Sequence, residues 1–443
     1  MGLSSIKKTV LKKIKPSIKE EERELKVAEE IITKLKNTLP KNYKVRLTGS
    51  VAKGTFLKNS ADLDIFILVP TSVRKDKLFG IVENAAKKAF PKNKSEVKYA
   101  EHPYVRLEGF GRRVDLVPAY EITYIEERAS AVDRSVLHTG YINGQIKERE
   151  KDEVRLLKQF LKMHDLYGAE IKVQGFSGYL CELLILEYGT FFNLLKDAEK
   201  WKFPFSIDLE KYYNSEEDVL KRFETKNITV VDPVDKNRDV SSIVSDEVLY
   251  RFMVVARSFL KKPSKKFFER RRFDSRKTKA YLKRHANLFS FSFNHPSIVD
   301  DILWGQLRKL GKRIVKYLSD LDFTILDYYL HSDGGKITIL IESLERELPE
   351  KIPILGPKVS DGRNIELFKK AHKSAVLYLN KGRIVAIENR KKTTFENSVK
   401  EFFKKERNLP SYLSRNLRKG KLDKKIKKDV LEGYFFWRKV FRE

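Results

Sequence analysis

The stretch Gly49-Ser50-Val51-Ala52-Lys53-Gly54-Thr55-Phe56-Leu57-Lys58-Asn59-Ser60-Ala61-Asp62-Leu63-Asp64 constrains this chain more than any other. A Gly-Ser turn leads into a basic loop, then into two aspartates spaced two apart at the head of an apolar run ending at Val69. Side chains two apart on a strand point to one face, so Asp62 and Asp64 are expected side by side. Adjacent carboxylates repel, and such a pair persists most readily around a cation. The backbone N–H groups and hydroxyl of Gly49-Ser50 suit a phosphate. Metal and phosphate together point to nucleotide chemistry.

The flanking pattern gives this segment a setting. Ser17 and Glu20 predict a capped helix start, and Leu25, Ala28, Ile32 and Leu35 recur at helical spacing up to Pro40. Leu63, Ile65, Ile67 and Val69 form one face of a strand, with Asp64, Phe66 and Leu68 on the other. A helix through Ala85–Phe90, an extended stretch from Val97 to Tyr104 and a turn at Glu108-Gly109-Phe110-Gly111 follow. Arg113-Val114-Asp115-Leu116-Val117-Pro118 then predicts another strand carrying a third aspartate. From Asp152 to Asn193 the periodicity is helical, broken at Gly175-Phe176-Ser177-Gly178, and Asp232-Pro233-Val234-Asp235 is a polar turn. Further on, Ile337–Ile341 predicts a strand. Ala375–Leu379 and Ile384–Ile387 predict a hairpin around Asn380-Lys381-Gly382.

Charge identifies the kind of partner. The 443 residues carry a formal net charge of +30. Self-repulsion on that scale is a cost to folding, and it marks a surface for a polyanion, most often nucleic acid. An anionic membrane surface is the alternative. No run of about 18 uncharged apolar residues is present, so no spanning helix is expected. The single Cys181 sits in an apolar helical segment, where packing is its expected role, and it fits a reducing, cytoplasmic setting. Between Arg257 and Arg284 basic residues alternate with Phe267, Phe268, Phe273 and Tyr281. Several of these lysines and arginines are expected on phosphates. The C-terminal aromatics Tyr434-Phe435-Phe436-Trp437 are read as packing.

Three aspartates on neighbouring strands suffice for two magnesium ions, because magnesium keeps waters and takes few carboxylates beside substrate phosphates. Asp62 and Asp64 would bridge both ions. Asp115 would hold only the ion that activates an attacking hydroxyl. Gly49 and Ser50 would grip a triphosphate, and Lys53 would neutralise it.

Gly49-Ser50, Asp62-x-Asp64 and Asp115 resemble the signature of the nucleotidyltransferases related to DNA polymerase β. Within that superfamily the chain resembles the archaeal-type, class I CCA-adding enzymes, or tRNA nucleotidyltransferases. The resemblance rests on Tyr99–Tyr104, Val114–Pro118, Ser130–Arg134, Glu153–Lys158, Tyr167–Glu170, Gly175–Glu182 and Asp232–Asp235. It is dense from about residue 45 to 240 and loose after about 305. It implies addition of C, C and A to the 3′ end of tRNA from CTP and ATP without a template. The tRNA 3′-hydroxyl attacks the α-phosphate and pyrophosphate leaves. It also implies that Ser50 and Lys53 contact nucleotide phosphates, that Asp62, Asp64 and Asp115 bind two Mg2+ ions, and that His138, Lys158 and Tyr167 line the nucleotide site. Arg238 is implied at the base edge. For His102, a nucleotide contact and a loop hydrogen bond both stand open. The family often has Glu where this chain has Asp62. Asp is one methylene shorter but keeps the charge, so metal binding is expected to survive.

The expected architecture is an α/β and α+β multidomain protein. Residues 1–145 form a polymerase β-like catalytic head of mixed sheet and helices. Residues 146–260 form a helical central domain that completes the nucleotide site. Residues 261–443 form a basic α+β body and tail for the tRNA acceptor arm, in a monomer or a homodimer. The rival readings are a poly(A) or other terminal RNA nucleotidyltransferase, and a non-catalytic tRNA-binding protein.

Overall fold

The computed structural model describes residues 2–99, 103–128, 130, 132–270, 287–391, 393–406 and 408–438. His102 lies outside the described residues, as does most of the basic-aromatic stretch, including Arg271, Arg272, Phe273, Arg276, Lys277 and Tyr281. The chain divides into two compact units, one spanning Met1–Arg271 with Val440–Glu443, the other Arg272–Lys439.

The first unit opens with a helix absent from the sequence reading, α1 (Leu3–Ile14), whose Ile6, Val10 and Ile14 are buried at four-residue spacing. It packs against the later helix Glu148–Met163, where Lys7 pairs with Glu153 and Lys15 with Asp152 at 2.9 Å. Helix α2 (Ile18–Lys36) starts where expected, the Ser17 hydroxyl accepting the Glu20 N–H at 3.2 Å. The Glu20 side chain does not close a reciprocal box. It accepts the N–H of Asn59 at 2.8 Å and so ties the helix to the loop before the aspartates.

Strand β1 (Lys44–Thr48) leads through the single turn α3 (Gly49–Ala52) to β2 (Leu63–Val69), then to helix α4 (Leu78–Ala89) and strands β3 (Ser95–Tyr99), β4 (Pro103–Leu107) and β5 (Val114–Tyr120). The sheet order is β1-β2-β5-β4-β3, with β2 and β5 parallel and the other pairs antiparallel. Alternation along β2 sorts its two faces. Leu63, Ile65 and Ile67 pack with Ala28, Ile31 and Leu35 of α2 and Val82, Ala85 and Ala86 of α4. Phe66 and Leu68 join Ala119, Val117, Val132 and Val136 on the opposite face. Asp64 shares that second face, at the end of the strand where the apolar cover stops.

Helices α5 (Arg134–Gln145), α6 (Glu148–Met163), α7 (Gly178–Tyr188) and α8 (Phe191–Ala198) follow. A small sheet of β6 (Phe205–Ile207), β7 (Ile228–Asp232) and β8 (Asp235–Asp239) brackets α9 (Glu216–Arg222), and α10 (Asp246–Lys261) closes the unit. Phe160, Phe191, Phe259 and Phe268 form an aromatic core with ring centroids 5.3 to 6.0 Å apart. The aromatic side of Phe267-Phe268 is therefore packing. Cys181 is fully buried. Arg155, 1% exposed, fastens α6 to the loop after α3 by donating to the carbonyls of Gly54 and Phe56 at 2.6 and 3.1 Å.

In the second unit, strands β9 (Asn287–Asn294), β10 (Ile325–Ser332), β11 (Lys336–Ser343) and β15 (Lys421–Leu422) form one antiparallel sheet in the order β10-β11-β9-β15. Phe289 and Phe291 of β9 stack on Phe395 and Phe403 at 3.8 and 3.9 Å. A second sheet holds β12 (Lys351–Lys358), β14 (Arg383–Asn389) and β13 (Val376–Asn380), and the predicted hairpin turns at Lys381 and Gly382 with φ of 45° and 73°. Tyr434 and Phe435 are buried beside Leu340 and Val430, in the packing role expected of them. No helix of the described residues is long and apolar enough to cross a membrane.

Candidate active site

Strand register builds the site. Thr48, Asp64, Asp115 and Arg106 lie directly opposite one another in a row across β1, β2, β5 and β4. Directly opposed residues share a face, so two carboxylates from parallel strands stand beside a guanidinium. Asp62 precedes β2, and its side chain is half exposed with Arg113 3.9 Å away.

Gly49 is required where it stands. Its φ is 72°, and a Cβ there would lie 2.0 Å from Asp64 Oδ2. Gly49→Ala adds left-handed strain of about 1–2 kcal/mol and pushes the carboxylate aside. Misplacement of about 1 Å costs roughly 100-fold in rate. We therefore expect a loss of that order in nucleotide incorporation, checked by gel assay, with a melting temperature lowered by a few degrees.

The pKa of Asp64 is pushed up to about 7, first by burial, then by the neighbouring charges of Asp115 and Asp62. Asp115 is neutralised differently. Arg106 grips it with Nε to Oδ1 and Nη2 to Oδ2, both at 2.7 Å, and also reaches the Tyr104 hydroxyl at 3.2 Å. Arg106 was missing from the sequence reading. The hairpin register around Gly109–Gly111 was the signal that could have found it, because Leu107 faces Val114 and Arg106 therefore faces Asp115.

Behind the carboxylates lies a buried polar cluster. Glu182 of α7, fully buried, pairs with Lys53 and with Lys158, the latter at 3.2 Å, and accepts from the Thr55 hydroxyl at 2.6 Å. Lys158 also donates to Thr55 Oγ1 at 3.0 Å. Both lysines were expected to face a nucleotide; the structure buries them against Glu182, a residue to which the sequence reading gave no role. Tyr167 stands beside them. A Cβ on Gly178 would lie 3.1 Å from its hydroxyl and 3.6 Å from Lys158 Nζ. Burial raises the Tyr167 hydroxyl well above its usual pKa. Ser50 lies in α3 and is half-buried.

Lys53 Nζ also sits 5.7 Å from the ring of Tyr179, which leads to a third group. Tyr179 stacks on His138 with centroids 3.9 Å apart. His138 Nε2 and Arg238 Nη1 both lie 2.8 Å from Oδ2 of the fully buried Asp232. The structure thus brings Lys53, Lys158 and Tyr167 into one cluster and His138 and Arg238 into the next. Asp62 stands at the rim, and Asp115 is turned onto Arg106.

Among the described residues no three His, Cys, Asp or Glu side chains are gathered in ready metal-ligating geometry. Arg106 instead holds Asp115 at 2.7 Å, and Arg113 lies 3.9 Å from Asp62. The donor set nevertheless fits a hard divalent cation: it is all oxygen, and the elevated pKa of Asp64 marks a carboxylate whose burial and acidic neighbours outweigh the charges of Lys53 and Arg106. Asp62, Asp64 and Asp115 are the residues that would hold such an ion.

Residues 28–138 match the family model of a nucleotidyltransferase domain, residues 152–269 that of the tRNA nucleotidyltransferase second domain, and residues 284–422 that of the CCA-adding enzyme C-terminal domain. The fold is that of a polymerase β-like nucleotidyltransferase, a class that depends on divalent metal. A CCA-adding enzyme of Methanocaldococcus jannaschii is 39% identical over 84% of this chain and 85% of its own length. Those of Archaeoglobus fulgidus and Saccharolobus solfataricus are 36% identical over 86% of each chain and 33% identical over 96% of this chain and 98% of theirs. A solved Cid1 poly(U) polymerase with Mg and 3′-dATP aligns with a TM-score of 0.46 at 16% identity, over 60% of this chain and 98% of that one. The chain belongs to the CCA-adding enzyme family.

Proposed function

We propose that this protein extends the 3′ end of tRNA by C, C and A in the cytoplasm, using CTP and ATP without a nucleic-acid template and releasing pyrophosphate. The observation that carries the reading is the register of Asp64 beside Asp115 on parallel strands, with the Gly49 backbone against the Asp64 carboxylate. Two Mg2+ ions held by Asp62, Asp64 and Asp115 would supply charge stabilisation for in-line displacement at the α-phosphate. The Gly49-Ser50 turn presents its backbone and hydroxyl to the nucleotide phosphates. Lys53 and Lys158, held at fixed positions by Glu182, bring positive charge to the triphosphate side, and Tyr167 borders it. His138 and Arg238 face the nucleoside. His102 belongs beside the nucleotide by resemblance alone.

The net charge of +30 suits the acceptor arm of tRNA, and binding should weaken steeply with salt. We place the catalytic head in residues 1–145, the part completing the nucleotide site in 146–260, and the acceptor-arm body and tail in 261–443. The test is incubation of tRNA lacking its terminal CCA with Mg2+ and each nucleoside triphosphate singly and in pairs, reading product length. CTP alone should add two residues, and ATP should add one residue only after them. A long tail from ATP alone would establish a poly(A)-type enzyme, and no incorporation would leave a tRNA-binding protein.

A further inference from the structure

Asp232 lies at the end of β7, fully buried, and every lone pair of its carboxylate is in use. Oδ1 accepts the Tyr179 hydroxyl at 3.0 Å and the Val234 N–H at 3.1 Å. Oδ2 accepts Arg238 Nη1 and faces His138 Nε2, both at 2.8 Å. A carboxylate offers about four lone-pair sites, so this one is saturated and held in one orientation. Burial raises its pKa, but at the low pH where it titrates the hydrogen bond and charge of protonated His138, with the Arg238 guanidinium, outweigh burial and hold the group at about 2, so near pH 7 it is ionised. An ionised carboxylate only accepts. Nε2 of His138 must therefore carry the proton.

Burial lowers the pKa of His138 more than the Asp232 hydrogen bond raises it, so the ring is neutral near pH 7. A neutral imidazole with its proton on Nε2 has a bare lone pair on Nδ1. Among the described residues no partner occupies that atom.

We infer that Asp232 is a positioning residue that locks His138 in its Nε2–H form, so that Nδ1 accepts a hydrogen bond from a donor on the bound nucleotide. The inference rests on the proposed nucleotide site. The donor chemistry has two sources on the same ligand: the ribose 2′-hydroxyl, and the exocyclic amine that cytosine and adenine share and that uracil and the corresponding edge of guanine lack. Asp232 holds Arg238 by one nitrogen and leaves its other donors to the neighbouring edge.

The test begins with nucleotide-free protein. 15N NMR of the histidine side chains, with His138 assigned by His138→Gln, should show Nε2–H in the wild type. Nδ1–H there overturns the proposal whatever the enzyme's activity. Asp232→Asn can turn its amide N–H toward Nε2 and impose the other tautomer, a replacement that behind a catalytic histidine costs about 10⁴ in kcat. We expect Asp232→Asn to switch His138 to Nδ1–H and to lower kcat/KM for CTP 10- to 100-fold. Retention of kcat/KM within two-fold overturns the proposal.

Two analogues identify the donor: 2′-deoxy-CTP, and the triphosphate of 2-pyrimidinone riboside, which is CTP without its amine. The wild type should lose at least ten-fold with one of them. Asp232→Asn should lose less than three-fold more with that same analogue. No penalty with either in the wild type also overturns the proposal. Should Asp232→Asn fail to fold, the wild-type tautomer and the two wild-type analogue penalties still decide. Absence of any CTP incorporation by the wild type speaks against the proposed function, while the tautomer is read independently of it.

Discussion

Asp64→Asn should abolish nucleotide incorporation while making the metal-free protein more stable at alkaline pH. Loss of a ligand that polarises the reacting phosphate removes several kcal/mol of transition-state stabilisation, which is at least about 10³-fold in rate. The stability effect follows from the pKa of Asp64, raised from 3.8 to about 7 by burial and by Asp115 and Asp62. A folded-state pKa above the unfolded value favours the protonated group. Its stabilising share is complete below pH 3.8 and is lost as pH rises through 7. Above that the buried carboxylate is charged beside Asp115 and Asp62, and asparagine relieves the repulsion. A shift of this size is worth at most about 4 kcal/mol, and solvent contact at the rim reduces it to roughly 1–3. Thermal melts in EDTA should place Asp64→Asn above wild type by several degrees at pH 8 and by a clearly smaller margin at pH 5. Added Mg2+ should reverse the order, because only the wild type gains from binding it. Equal melting at both pH values in EDTA would show that Asp64 carries no such strain. Retained incorporation of CTP would sink the metal assignment.

The parts legible in the sequence are those governed by short-range rules. Alternation from Leu63 to Val69 sorted the faces of β2, and Asp115 followed from the same pattern one strand on. Ser17 fixed a helix start, and Asn380-Lys381-Gly382 fixed a hairpin, because capping and left-handed turns are local demands. Strand β7 escaped notice because Ile228–Asp232 is buried on both faces and shows no alternation. Helix α1 escaped because its apolar stripe is thin amid lysines and is stabilised by α6, far along the chain. In the site, residue identities were readable but their partners were not. Lys53 and Lys158 are separated by more than a hundred positions, and nothing in their neighbourhoods names Glu182 as the acid between them. Asp232 and Glu182 each fell inside a stretch that resembled the family, yet their work is to hold other side chains, and no motif spacing expresses that. Arg106 was reachable only through hairpin register.

Glu182→Gln should destabilise the first unit more than any surface change while leaving the carboxylate site chemically intact. Glu182 is 0% exposed, and the side chains of its partners Lys53 and Lys158 are 8% and 3% exposed. Burial raises the pKa of Glu182, but the charges of Lys158 and Lys53 and the hydrogen bonds of Lys53 and Thr55 outweigh it, so the pKa is lowered. The stability this provides is present above the unfolded value of 4.5 and is lost as pH falls through the folded one. At neutral pH glutamine leaves two buried ammonium groups facing each other without a counter-ion, a defect that costs about 3–5 kcal/mol. In a unit of this size that corresponds to a melting temperature lower by roughly 10 °C. Glu182→Gln combined with Lys53→Met should recover a substantial part of the loss, since one uncompensated charge is removed, and the cycle reads out their coupling. If the two lysines stand where a triphosphate arrives, bound nucleotide supplies the missing negative charge. CTP with Mg2+ should then raise the melting temperature of Glu182→Gln by more than it raises the wild type's. An equal shift in both would place Lys53 and Lys158 outside the phosphate site and leave Glu182 as a structural anchor between α7 and the loop after α3.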